Sequence, residues 1–344
     1  MGLSDIQIWS RPQVLEGKTN SERENLKFEE KESSKWSLGV SNSMRVLKSA
    51  SHCLFVFDSE ADVYENFEHI LKHQNVGFVI RSKYNRKTIW QDQTIKLYDI
   101  FSKIDALGTY KVELPELKDH SKFNNQKNRK KRTATIELRS IAVNVHPPVR
   151  FKNSKNPIKL FLIEAKEVTR KLPANENSVL WRLWTTMPTK TFEEAKEVVN
   201  IYKGRWNIEQ LFRTAKRQGF DIESTQLRTF EGILKQTVMV LKNSAVVMQL
   251  VKARGNENAS PIVEVFSDKE IEVLDILNTN LEGKTELQKN KYPKDKLSWA
   301  AWVIARLGGW KGYESSTLPG PITFARGLER FLFYVDAKKL FNST

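Results

Sequence analysis

The sequence predicts an α/β fold with a β-rich insertion and an all-helical C-terminal region. Three observations carry that prediction. First, "HCLFVFD" (residues 52–58), "EADVYENFEHILKH" and "GFVIRSK" run strand, helix, strand, the rhythm of an α/β unit with parallel strands. Second, apolar and polar residues alternate in "GTYKVELPE", "RTATIELRSIAVNV" and "PIKLFLIEAK", the period-2 pattern of antiparallel strands, and "VLWRLWTTMP" closes this stretch as a further strand. Third, the last hundred residues hold helical patterns, among them "LSWAAWVIARLGGW" and "GLERFLFYVDAKKLF".

Along the chain, Leu3, Ile6, Ile8 and Trp9 read as a short strand ended by Arg11-Pro12. Residues 13–34 are polar and read as a loop. "EKESSKWSLGVSNSMRVL" reads as a helix, with Trp36, Val40 and Met44 spaced for one buried face. Thr191 with Glu194 three residues on forms a capping box at a helix start. "GILKQTVMVLKNSAVVMQLVK" reads as a long, strongly apolar helix.

Composition narrows the function. The 344 residues carry 56 Lys plus Arg against 41 Asp plus Glu, a net charge of +15. That excess favours a polyanionic partner, nucleic acid first and a membrane surface second. No apolar run approaches the roughly 20 residues of a spanning helix. The N-terminus lacks a signal-peptide pattern, and Ile6 stands where a myristoylation signal needs Ser or Thr. The single cysteine, Cys53, allows no intrachain disulfide and fits a reducing compartment. The five histidines show no zinc spacing, so any metal site would be carboxylate-built and suit Mg²⁺ or Mn²⁺.

The stretch "YKGRWNIEQLFRTAK" (residues 202–216) is read as helix. At roughly 100° per residue, Arg205, Glu209, Arg213 and Lys216 lie within about 60° of Tyr202. Ile208, Leu211, Phe212 and Ala215 fall on the far side and are expected to face the core. The polar stripe is either a solvated face, with Glu209 and Arg213 paired at i,i+4, or the lining of a site. Asp58, at the C-terminal end of a buried strand, sits where α/β sheets gather ligands. The basic run "KNRKKR" (127–132) is either a solvated loop or a DNA-backbone contact.

The residues Tyr202, Arg205, Glu209 and Lys216, at their spacing, resemble the Tyr-Arg-Glu-Lys signature of bacterial cut-and-paste insertion-sequence transposases. These belong to the DDE group with a ribonuclease-H-like core. "FDSEADVYE" resembles the segment with the second acid of the triad, and "FVIRSK" the strand after it. "EKESSKW", the basic insert, the Trp181 strand and "IARLGGW" fall in the order of the hairpin-forming members.

The resemblance implies roles. Asp58 and Glu209 would be the second and third triad acids, both ligands of Mg²⁺ (or Mn²⁺). Tyr202, Arg205, Lys216 and Arg213 would grip phosphates near the cleaved DNA end. Trp181 would stack a flipped base, against the plainer reading of a core Trp. Arg81 and Lys83 would contact DNA, against ordinary exposure at a strand end. Asp62 reads as a helix-start charge.

The implied layout is a first part of the core (1–88), a β-rich insertion (89–188), a second part with the signature helix (189–255) and a helical dimerisation region (256–344). The implied location is the bacterial cytoplasm, at the nucleoid, with no membrane.

The family's first acid and DNA-end-reading domain have no counterpart in this sequence. Before Asp58 stands a single Asp, Asp5, in what reads as the third strand of the core. The expectation is an N-terminally truncated transposase whose core lacks its early strands and which does not cut DNA alone. With those strands absent, the edge of the Asp58 strand would lie open to pairing with another chain. The alternative is a non-enzymatic inhibitor that pairs with an intact transposase through its C-terminal helices. A third reading, a general nucleic-acid binder, leaves Glu209 in the polar stripe without a purpose.

Overall fold

In the computed structural model, the described residues are 2–8, 19, 22, 26–116, 130–148, 156–173, 176–217, 219–313 and 317–342. They divide into two compact units, one made of Trp9–Arg205 and one of Met1–Ile8 with Trp206–Thr344.

The first unit is built on a sheet. Helix α1 (Ser34–Val46) precedes β1 (Cys53–Phe57), α2 (Tyr64–Ile70) and β2 (Val76–Arg81). β1 and β2 are parallel, as their separation by a helix requires. A small hairpin follows, β3 (Lys87–Trp90) with β4 (Gln93–Lys96). Its turn places Gln91 and Asp92 at φ of 49° and 59°, the twin left-handed conformation of a tight hairpin. β5 (Gly108–Leu114), β6 (Arg132–Val145), β7 (Ile158–Glu167) and β8 (Leu180–Thr185) form an antiparallel meander.

These four strands continue the β1–β2 sheet, because β8 pairs antiparallel with β2 and gives the order β1-β2-β8-β7-β6-β5. α3 (Phe192–Lys203) closes the unit, and its capping box forms as the sequence predicts: Thr191 Oγ1 accepts from Glu194 N (3.3 Å) and Glu194 Oε2 from Thr191 N (2.9 Å).

Alternation along the strands gives the sheet two apolar faces. One holds Phe57, Phe67, Phe78, Ile80, Leu162 and Trp184 under α1 and α2. The other holds Val79, Leu138, Ile163, Leu183, Val198 and Tyr202 under α3. α1 packs as its spacing predicts, with Val40 buried and Trp36 and Met44 against the same cluster.

The second unit is helical: α4 (Trp206–Lys216), α5 (Phe230–Ala253), α6 (Asp268–Leu281), α7 (Leu297–Leu307) and α8 (Pro321–Asn342). Its core gathers Leu250, Leu274, Trp299, Ile304, Phe324 and Phe331. α7 and α8 approach until glycine is required, since a Cβ on Gly327 would lie 1.9 Å from the Ile304 carbonyl oxygen. No helix of the described residues is long and apolar enough to cross a membrane.

Three expectations about local structure need correction. Residues 2–8 form no strand, and Trp9 lies outside the described residues. An apolar stretch becomes a strand only against a neighbour, and among the described residues no strand pairs with 2–8. The stretch expected as one helix through 202–216 breaks at Gly204-Arg205. There Gly204 N and Arg205 N bond back to the Ile201 (2.9 Å) and Tyr202 (3.0 Å) carbonyls, tightening the last turn. α4 does bury Leu211 and Ala215, but Ile208 and Phe212 are exposed, because the break resets which face meets α5.

Candidate DNA-phosphate site

The site begins where β1 ends. Asp58 takes an extended backbone conformation after Phe57 and caps a one-turn helix (Ser59–Ala61), its Oδ1 accepting from Glu60 N at 2.9 Å. Arg81 ends β2, where it is paired with Leu183 of β8. Trp181 lies two residues before Leu183, on the same face of β8. Tyr202 and Arg205 come from the end of α3 and the turn after it.

These side chains meet around Tyr202. The phenol is 5% exposed, and its ring lies edge-on to Trp181 with centroids 5.3 Å apart. Burial pushes the Tyr202 phenol above its ordinary value. The charges of Arg205 and Arg81 and a hydrogen bond donated by Arg205 pull it back, and Asp58 pushes it up again. Two guanidiniums, a phenol and the Asp58 carboxylate therefore meet at this corner, and guanidinium and phenol groups both donate to anions.

Beside it, a cavity of about 560 Å³ opens between the sheet and α3, lined by Arg81, Tyr110, Val112, Trp181, Val199 and Lys203 among others. Lys203 donates to Asn200 Oδ1 (3.1 Å) and lies 5.6 Å from the Tyr110 ring centre. Partial burial, then the charge of Lys196, holds its ammonium below the usual lysine range.

Glu209, Arg213 and Lys216 sit on α4, in the helical unit, away from its buried Leu211, Thr214 and Ala215. Lys216 pairs with Glu223 at 2.8 Å on the surface. Lys83 is exposed after β2; its backbone N–H donates to Asp62 Oδ2 (2.6 Å), and its ammonium lies 5.5 Å from the Tyr84 ring centre.

Asp62 is no solvent-facing helix-start charge. It is fully buried, pairs with Arg86 (Nη1 to Oδ1 2.7 Å) and accepts from Lys83 N and Tyr84 N. It fastens the chain after β2 to the loop after β1. Of "KNRKKR", residues 127–129 lie outside the described residues. Arg132 is bound by Glu167 and Glu176, with its Nε 2.6 Å from Glu176 Oε2, and is not available to DNA.

The expectation of Mg²⁺ (or Mn²⁺) held by Asp58 and Glu209 is also corrected. Among the described residues, no group of three or more His, Cys, Asp or Glu is placed to hold a metal ion. A hard divalent cation needs several oxygen ligands. Asp58 Oδ1 is taken up by the cap of the one-turn helix after β1.

Sequence reasoning missed Lys203 and Tyr110. Their only signal was the alternation that sends Tyr110 to the α3 face of the sheet, and the helical phase that sets Lys203 beside it.

The chain matches the family model described as a transposase DDE domain over residues 41–244, more than half of its length. That span runs from α1 through the sheet, α3 and α4 into α5. By this match the chain belongs to the DDE transposase domain family.

Proposed function

We propose that the chain is a DNA-binding transposase-family protein that grips backbone phosphate through Arg81, Arg205 and Tyr202. The observation that carries this reading is the grouping of Arg81 and Arg205 about the Tyr202 phenol, edge-on to the Trp181 ring. Arginine pairs with phosphate bidentately, and a phenol whose burial keeps it protonated donates to the same group. Arg213 and Lys216 on α4 offer a second cationic set, with Lys216 exchanging Glu223 for phosphate.

Trp181 and the neighbouring cavity add a place for an unstacked base. Aromatic walls, an apolar floor of Val112 and Val199, and cations at Arg81 and Lys203 fit a nucleobase with its phosphate. The reading assigns DNA binding, with no strand cleavage by this chain alone, since no group of three or more metal-holding side chains is found among the described residues.

Two assays test it. A DNA end carrying 2-aminopurine should change fluorescence on binding, and Trp181→Ala should abolish that change while leaving most of the affinity. Purified protein should not nick a plasmid; nicking that Glu209→Ala abolishes would overturn the reading.

A second reading, inhibition of an intact transposase by pairing through the C-terminal helices, draws on α8. Phe333 and Leu340 are exposed at seven-residue spacing, opposite the buried Phe324, Phe331 and Val335, and the exposed Tyr334 and Phe341 flank that face at the same spacing. Co-purification with a full-length relative, lost on Phe333→Ser and Phe341→Ser together, is its test.

A further inference from the structure

The β3–β4 hairpin is a ribbon with two unlike faces. Thr88 is buried, and Trp90 and Ile95 pack against the cluster under α1 and α2. Alternation along each strand puts Lys87, Ile89, Thr94 and Lys96 on the opposite face. Lys87 stands directly across from Lys96, and Ile89 directly across from Thr94. All four are exposed, Ile89 to 65%.

Neither pair favours the hairpin in water alone. Like charges placed opposite each other across two strands repel. The hairpin's one acid, Asp92, sits in the turn rather than between the lysines. An isoleucine beside them adds an apolar spot to a cationic face, a combination that suits an anionic partner with apolar features of its own.

The base of the ribbon is pinned at both strands. Leu97 N donates to Arg86 O, and Tyr98 N to Asn85 Oδ1, each at 2.8 Å. Asp62 holds the same segment through the Arg86 guanidinium and the backbone N–H groups of Lys83 and Tyr84. A ribbon braced in this way loses little conformational entropy on docking.

We propose that the outward face of the β3–β4 hairpin docks in the major groove of duplex DNA. Strands about 4.8 Å apart form a ribbon that a groove about 12 Å wide admits. Lys87 and Lys96, one from each strand, contact phosphates, which relieves their mutual repulsion. Ile89 and the Thr94 methyl lie against the C5 methyl groups of thymine, an apolar feature that this groove displays. The inference rests on the DNA reading and extends it. Phosphate contacts such as Arg81 and Arg205 carry no sequence information, whereas the hairpin confers a preference for thymine-containing sites.

Fluorescence anisotropy of the full chain tests this with one duplex over a salt series, and with the same duplex carrying uracil, which lacks the C5 methyl, at every thymine. The chain should bind the thymine duplex severalfold more tightly than the uracil duplex, and Ile89→Ser should abolish that preference. Lys87→Ala with Lys96→Ala should shrink the slope of log affinity against log salt by roughly 1.8, for two phosphate contacts. The urea midpoint of that double variant should hold or rise, since a like-charge pair is removed.

Three outcomes would overturn the proposal and leave the DNA reading standing, provided that Arg81→Ala weakens binding. They are equal affinity for the two duplexes, a thymine preference that survives Ile89→Ser, and an unchanged slope in the lysine double variant. Absence of duplex binding would overturn both. The comparison of thymine with uracil uses the unaltered chain, so it decides even where a variant fails to fold by circular dichroism.

Discussion

Two charge clusters on the same sheet differ in one respect that decides what each can do. Around Arg132, two carboxylates, Glu167 and Glu176, saturate one guanidinium, and all three side chains are nearly out of solvent. Around Tyr202, the charges of Arg205, Arg81 and Asp58 act on one buried phenol. The first cluster is closed and ties β6 to the end of β7 and the segment before β8. In the second, Arg81 stands exposed at the end of β2. Basic residues in this chain are therefore not interchangeable: Arg132 is a fastener, and Arg81 and Arg205 are the proposed phosphate contacts.

The largest expected effect breaks the closed cluster. Burial pushes the Glu167 carboxyl up, but Arg132, the Val179 N–H and Thr169 outweigh it and hold the group below its ordinary value. Arg132→Met would strand Glu167 in the interior and should cost the sheet unit about 3–5 kcal/mol in urea denaturation. DNA affinity of the folded fraction should not change. The depressed folded value also fixes the pH dependence. The pair's stabilisation is present above the ordinary carboxylate range and is lost as pH falls through the folded value.

Next come the open-cluster arginines. Arg205→Ala and Arg81→Ala should each weaken duplex binding by tenfold or more, from roughly 1.5–3 kcal/mol per charge-assisted contact. Neither should move the urea midpoint as Arg132→Met does. A large stability loss in these variants, without an affinity loss, would erase the distinction between the clusters.

Trp181→Ala should cost about 1–3 kcal/mol of base stacking for an end with an unpaired base. It should cost less for a fully paired duplex, as fluorescence anisotropy with the two DNAs would show.

The smallest effect is alkaline. Burial, as the largest cause in each case, raises the phenols of Tyr64, Tyr98, Tyr110 and Tyr202. The folded state then holds phenolic protons more tightly than the unfolded chain. Stability should therefore fall as pH rises beyond about 10. Tyr202→Phe should make that fall shallower in a pH series of thermal melts.

The sheet was legible because its strands are signalled locally. "CLFVF" and "GFVIR" are compact apolar runs around a helix, and "RTATIEL" alternates residue by residue, so both element type and pairing sense followed. The capping box at Thr191 was legible for the same reason. The β3–β4 hairpin was not: its turn is Gln91-Asp92, without the Gly or Asn that usually marks two left-handed residues.

The tightening at Gly204 was hidden as well, because Gly204 stays in helical conformation (φ −61°, ψ −20°) and nothing in the sequence distinguishes a tight turn from continued helix. The site residues were named from the signature, yet the roles of Asp62 and Arg132 depended on partners distant in sequence. Arg132 lies 35 residues from Glu167 and Asp62 lies 24 from Arg86, separations over which local pattern carries no signal.

The central claim is that Arg81 and Arg205 are phosphate contacts and Arg132 is not. The most direct test is the salt dependence of duplex affinity. For each phosphate contact removed, the slope of log affinity against log salt should shrink by about 0.9. The account predicts that loss for Arg81→Ala and for Arg205→Ala, roughly twice that for the pair, and an unchanged slope for Arg132→Met. An unchanged slope in the double variant would contradict it.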